Sequence, residues 1–350
     1  MQGLIVMGFS SNAVLAKARS MYSHRMTPAK YEELIHKGSV AEIVSFLKNE
    51  PSYQDVLEEI KETNVHRGRI ESLLNEQAFI ETTKMLRYVP KKKQEFYKLS
   101  VIKEEIHLII DKVRLIDSEV NDSYDLNIPS YLAQCASFDL YGLIAIDDYA
   151  TLCQYMKRTP FYKVLKKNIP EDGEKVDINI MEYDFKKAYY DHVVGVIKKE
   201  FKGKKQKDLL TIVYTEIELE NISKIYRLKK YFNVTEEQIR GCLITDYCRL
   251  SDSMMDMLIK AKDAEDMLKK LSSSSYKFYV DEKDFVYIEY YAEKIKYHLA
   301  KRYMRFSTDP SLVYMTYAIV HRIEINNLIH IIEGIRYGES AERIKAMLIY

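Results

Sequence analysis

The sequence predicts an all-α fold made of three related helical sub-domains arranged about an approximate three-fold axis. Three observations carry this expectation. Gly and Pro number only 11 and 7 in 350 residues, less than half their usual share of roughly 12%. Sheets joined by tight turns use more of both residues, and long helices use less. Helix-start signals recur along the chain, and strand signals are poor. Finally, two kinds of segment repeat with a unit of roughly 105–110 residues, too long for a thin solenoid.

The elements follow in chain order. Gly3–Phe9 is an apolar run, too short to span a bilayer and without the basic start of a secretory signal. Thr27-Pro28 places a cap oxygen before a proline at the first helical position. Ser39-Val40-Ala41-Glu42 reads as a capping box. Helices are expected over Glu71–Tyr88, Glu95–Ile116 and Phe185–Phe201. Val176–Ile180 alternates briefly and is isolated, so it makes a poor strand. The basic run Lys198–Lys207 reads as a charged loop centred on Gly203. A long helix is expected from about Lys207 to Tyr231, with Ile212, Ile222 and Ile225 on one side. Thr235 with Gln238 repeats the capping logic, and Ser272–Ser275 reads as a connector. Phe285–Phe306 is a further helix. Asp309-Pro310 opens the last long helix, which runs to about Tyr337 with Ile319, Ile323, Leu328, Ile331 and Ile335 toward the core.

The repeat appears when Ile217–Leu243 is set against Ile323–Leu348. Glu218 meets Glu324, Asn221 meets Asn327, and Tyr231 meets Tyr337. After a one-residue gap, Thr235 meets Ser340 and Leu243 meets Leu348. Upstream, Val40–Tyr53 matches Tyr149–Tyr162 through Lys48 and Lys157, Pro51 and Pro160, and Tyr53 and Tyr162; Asp263–Leu271 is a fainter copy. The first copy of the long-helix motif, Lys103–Ile116, keeps Glu105 and lacks the Asn. The expected boundaries are 1–135, 136–247 and 248–350. Copies related in this way would surround a central space.

Composition narrows the function. A net charge of +1 excludes a surface built throughout for nucleic acid. The 29 Tyr suit broad half-buried contacts, and suit ordinary helix packing equally. Cys135, Cys153, Cys242 and Cys248 form no CxxC pair, as expected of free thiols in a reducing compartment. Glu104-x-x-His107 has the spacing of a helical di-metal site but lacks the second copy such a site requires. Its plain reading is a partly exposed helix face. His321 and His330 lie too far apart on one helix to share a metal. HExxH, the P-loop, GxSxG and GxGxxG are all absent. No metal or cofactor is expected.

Glu216, Glu218 and Glu220 read first as a solvated or salt-bridged surface. The recurring pairs, Glu218 with Asn221 and Glu324 with Asn327, carry more weight. They either tie down a neighbouring short helix or face a partner. Tyr231, Arg336 and Tyr337 belong to the same motif. The basic run Lys91–Lys93 reads as solvated, or as a contact with acidic loops or headgroups.

With these residues assembled, the chain resembles the C subunits of bacterial and archaeal V/A-type rotary ATPases, the counterparts of the d subunit of the vacuolar proton pump. The resemblance lies in Ala16-Lys17-Ala18-Arg19-Ser20-Met21, Met26-Thr27, Tyr31-Glu32-Glu33-Leu34, Ser39-Val40, Phe46-Leu47-Lys48 and Pro51-x-Tyr53. It continues in Glu324-x-x-Asn327-Leu328, Ile331, Arg336-Tyr337-Gly338, Glu342 and Ile344. Ile329 departs from the pattern, standing where a basic residue is common. The resemblance implies a funnel of three helical sub-domains without a catalytic site. It also implies a place on the cytoplasmic face of the membrane, peripheral and held through a proteolipid ring. The socket would receive central shaft subunits of the D/F type and transmit torque during H⁺ or Na⁺ transport. The alternatives are an unrelated all-helical scaffold or adaptor, and a helical metalloenzyme.

Overall fold

The computed structural model describes residues 2–58, 60, 67–90, 94–118, 126, 128–171, 174–232, 234–274, 276 and 287–350, with side chains from residue 12 onward, Arg67 excepted. The run Lys91–Lys93, Ser275 and the start of the expected helix at Phe285 lie outside them. Every regular element among the described residues is helical. Besides short 3-10 turns, the α-helices in chain order are α1 (Gln2–Ser23), α2 (Pro28–Ile35), α3 (Val40–Lys48), α4 (Gln54–Leu57), α5 (Arg67–Lys84), α6 (Gln94–Tyr97), α7 (Leu99–Asp117), α8 (Ser130–Ala133) and α9 (Tyr149–Tyr155). There follow α10 (Tyr162–Lys167), α11 (Ile178–Glu200), α12 (Gly203–Tyr231), α13 (Glu236–Gly241), α14 (Asp252–Ile259), α15 (Ala264–Leu271), α16 (Ile288–Phe306), α17 (Pro310–Arg336) and α18 (Ala341–Ala346). No helix among them is long and apolar enough to cross a membrane.

The chain packs as two units, one formed by Met1–Pro90 with Lys202–Tyr350 and the other by Lys91–Phe201. In the first, α17 packs against α16, α1 and α5. One core joins Leu34, Ile43, Leu47, Tyr53 and Leu74 of the N-terminal helices to Ile325, Leu328, Ile331 and Ile344 of α17 and α18. A second core of that unit joins Ile222 and Ile225 of α12 to Ile239, Leu258, Met267 and Ile288. In the second unit α7 and α10 pack against α11. Phe96 there meets Phe201 edge-on at 5.0 Å.

The caps follow the sequence. The Thr27 side chain accepts from Lys30 N, Thr235 and Gln238 form a full capping box, and Asp309 accepts from Ser311 N and Leu312 N. Ser39 accepts from Glu42 N, but the Glu42 carboxylate bonds Gly38 N, one residue before the cap.

Several expectations change. The N-terminal run belongs to α1, a full helix whose Val14, Ala18 and Met21 are buried at helical spacing. Glu95–Ile116 is two helices, broken at Lys98. Within Val176–Ile180, Ile178 opens α11, because Asp177 caps it by accepting from Asn179 N and Ile180 N. The basic run is no loop. Lys198 and Lys199 close α11, where their charge suits the carbonyl end, and Gly203 opens α12 with φ +61, a conformation that favours glycine. On α17, Ile319 and Ile335 are only half-buried, whereas four consecutive residues, Ser311 to Tyr314, are buried. The helix is wrapped on nearly every side there and does not present a single core stripe.

Candidate functional site

The recurring Glu and Asn stand three residues apart on one face of a long helix, on α12 and again on α17. All four side chains are buried. Asn221 Nδ2 donates to Ile244 O at 2.7 Å, and Ile244 N donates back to Asn221 Oδ1 at 3.1 Å. Asn327 treats Ile349 in the same way, at 2.7 and 3.0 Å. An amide carries both a donor and an acceptor, so it can satisfy both backbone groups of one residue. Each clasped residue follows the short helix, α13 or α18, that comes after the long one.

A carboxylate only accepts, and here it takes backbone N–H groups at a helix entry. Glu218 accepts from Arg249 N and Leu250 N, both at 2.6 Å, and from the Tyr276 hydroxyl. Glu324 accepts from Met26 N at 2.9 Å and from the Tyr53 hydroxyl at 2.5 Å. Leu250 and Met26 each precede a capping residue, Ser251 and Thr27. The next caps are Asp263 and Ser39. The segment 26–53 therefore meets α17 as the segment 250–276 meets α12. The chain's N-terminal helices supply to the last long helix what later helices supply to the middle one.

The first copy is half of this device. Glu105 on α7 is fully buried and accepts from Ser137 N. Leu108 stands where the Asn would be. One oxygen of Glu105 has no hydrogen-bond partner, and burial pushes its carboxyl upward.

The charges beside the buried carboxylates differ between the copies. Arg249 Nη2 lies 3.9 Å from Glu218 Oε1 and donates to the Tyr276 oxygen at 3.1 Å. On α17 the neighbour is His321, with Nδ1 3.9 Å from Glu324 Oε1 and Nε2 3.2 Å from Glu81 Oε2. Glu81, on α5, also accepts from the Tyr317 hydroxyl and from Gln77 Nε2. Burial raises the Glu324 carboxyl above the usual carboxylate range, and His321, Tyr53 and Met26 N oppose that rise. Burial likewise raises the Tyr31, Tyr53 and Tyr317 phenols, with the neighbouring carboxylates adding to it.

The remaining motif residues are on the outside. Tyr231 closes α12 at 64% exposure, with Lys230 Nζ 5.4 Å from its ring centre. Tyr337 follows α17 at 67%, with the Arg336 guanidinium 5.8 Å from its ring centre. Solvent-facing aromatic and cationic groups of this kind are the residue types that anchor protein interfaces. Glu104 and His107 are 3.5 Å apart on an open face of α7. Among the described residues no three His, Cys, Asp or Glu side chains are grouped to hold a metal ion.

The structure thus brings Glu218 with Asn221, and Glu324 with Asn327, into two internal clamps. It leaves Tyr231, Arg336 and Tyr337 at the helix ends. Glu218 is a correction to the surface reading of the acidic cluster: it is buried, while Glu216 and Glu220 on either side are half-buried. Tyr276 and Glu81 were not singled out by the sequence, and His321 was weighed only as a metal ligand with His330. Tyr276 had a signal, since it follows the short-helix motif as Tyr53 does, only five residues beyond the matched segment. Glu81 lies in no repeat and had none.

The ATP synthase (C/AC39) subunit family matches residues 14–347. The C subunit of the A-type ATP synthase of Methanocaldococcus jannaschii is 24% identical over 352 residues, covering 96% of this chain and 85% of that protein.

Proposed function

Since the chain belongs to the ATP synthase (C/AC39) subunit family, a non-catalytic component of rotary ATPases, we propose that it is the socket coupling the rotor shaft to the membrane ring. In this reading three copies of the module, 1–135, 136–247 and 248–350, stand about an approximate three-fold axis and form a funnel. The funnel receives central shaft subunits of the D/F type. It sits on the cytoplasmic face of the proteolipid ring, and it turns with both while H⁺ or Na⁺ is moved. Family membership removes the unrelated scaffold as a rival.

The observation that carries the reading is the repeated clamp. Torque passes through a body only if its parts do not shear, and close-packed interiors transmit strain. Asn221 and Asn327 fix the residue after each short helix, and Glu218 and Glu324 fix the entry of the next. The exposed Tyr231, Arg336 and Tyr337 then project from stiff supports, where they can grip a partner. Glu218, Asn221, Glu324 and Asn327 serve this function by positioning and not by touching the partner.

Deleting the chain tests the proposal. ATP hydrolysis by the soluble head should persist while ion pumping stops. Loss of hydrolysis by a normally assembled head would refute it. Replacing Tyr231, Arg336 and Tyr337 together by Ala should weaken co-purification of shaft or ring without lowering the thermal midpoint.

A further inference from the structure

The buried carboxylates on α12 and α17 hold equivalent segments, but the charges beside them are of different kinds. Glu218 is faced by Arg249, whose guanidinium keeps its charge at every accessible pH. Glu324 is faced by His321, an imidazole, the side-chain type whose charge ordinarily changes between pH 5 and 8. His321 also faces a second buried carboxylate, Glu81. Glu81, His321 and Glu324 are 8%, 6% and 5% exposed. The imidazole is stacked on Tyr317 at 5.5 Å and 15°.

We propose that Glu81, His321 and Glu324 form a proton-operated latch that holds the N-terminal segment 26–53 against α17. The segment is attached through Met26 N and the Tyr53 hydroxyl, both bonded to Glu324. With the imidazole charged, one cation lies between two carboxylates. With it neutral, two buried carboxylates face each other with less compensation, and an uncompensated buried charge is costly. Other groups also face this cluster. Arg25 and Tyr22, at the end of α1, line the same small cavity. The Arg25 guanidinium is held over the Tyr22 ring at 4.2 Å and donates to Tyr22 O. α16 contributes the Tyr297 phenol, α2 the Tyr31 phenol, and α5 Glu81 itself. The phenols stay neutral through the range in question, because burial raises all of them.

Loss of the imidazole proton removes the cation from between the two carboxylates, and alkalinisation is the direction that removes it. A carboxyl raised above its unfolded value, as Glu324 is, also contributes most when protonated and loses that contribution as pH rises. The latch therefore loosens on alkalinisation, whereas the Arg249-backed clamp does not.

Hydrogen exchange on the full chain supplies the test. Amides of residues 26–35 are compared with those of residues 250–259 between pH 6.0 and 8.5. Taking the ratio of the two segments cancels the intrinsic pH dependence of exchange. The protection of 26–35 should fall about tenfold or more relative to 250–259, since a single linked proton permits up to about tenfold per pH unit. His321→Gln should shrink the fall to the part carried by Glu324 alone. If that variant does not fold, the wild-type ratio and the imidazole C–H titration of His321 by NMR still decide. A wild-type ratio constant within twofold, or an imidazole signal that does not move over this range, overturns the proposal.

Discussion

Replacing Asn221 by Leu removes one clamp while keeping the branched shape of the side chain. In the native protein Asn221 satisfies both the N–H and the C=O of Ile244 and also lies 3.3 Å from the Cys248 sulfur. Leu satisfies none of these. A buried backbone group left without its partner costs about 1–3 kcal/mol. The Ile244 carbonyl keeps a weak contact from Cys248 Sγ at 3.5 Å, so the amide carries most of the penalty, and the loss should be about 2–4 kcal/mol. Ile244 lies between α13 and α14 and is 4% exposed, so the chain cannot turn these groups to water without opening the core beneath. Asn327→Leu breaks the same two bonds to Ile349. Asn327 also donates to the Tyr31 hydroxyl at 3.2 Å, so its loss should be of the same order, about 2–4 kcal/mol. For a unit of this size each kcal/mol moves the thermal midpoint by about 2–4 °C. Asn221→Leu should therefore lower the midpoint by roughly 4–16 °C, followed by circular dichroism or calorimetry. A midpoint within 1 °C of wild type in either variant would refute the reasoning.

Further predictions concern the half-clamp, a helix contact and the exposed ring. Burial raises the Glu105 carboxyl, so its contribution is fully present below its unfolded value and is lost as pH rises through the folded one; wild type should gain stability relative to Glu105→Gln when thermal midpoints are taken from pH 7.5 down to pH 4.5. At Gly334 a Cβ would lie 2.5 Å from Ile344 Cγ1, and Ile344 is fully buried. Gly334→Ala should thus force α18 off α17 and cost about 1–3 kcal/mol in the same melting assay. Tyr337→Ala should leave the midpoint nearly unchanged, by about 0.5 kcal/mol or less; a large drop would place Tyr337 among the structural residues.

The sequence by itself determined the helical class and most helix starts, because caps and periodicity are local. Thr27, Ser39, Thr235 and Asp309 each satisfy N–H groups within three residues of themselves. It also showed that Glu218 with Asn221 and Glu324 with Asn327 are one device used twice, since a repeated spacing is visible without coordinates. What that device grips was decided only by the tertiary structure. Met26 and Glu324 lie 298 positions apart, and no local preference links them. The burial of Glu218 was hidden for a related reason. A charged residue among charged neighbours reads as surface until backbone N–H groups from a distant segment arrive to replace its water. The His321 cluster is a mixed case: His321 and Glu324 stand three residues apart on α17, but only the packing of α5 against α17 brings Glu81 to them.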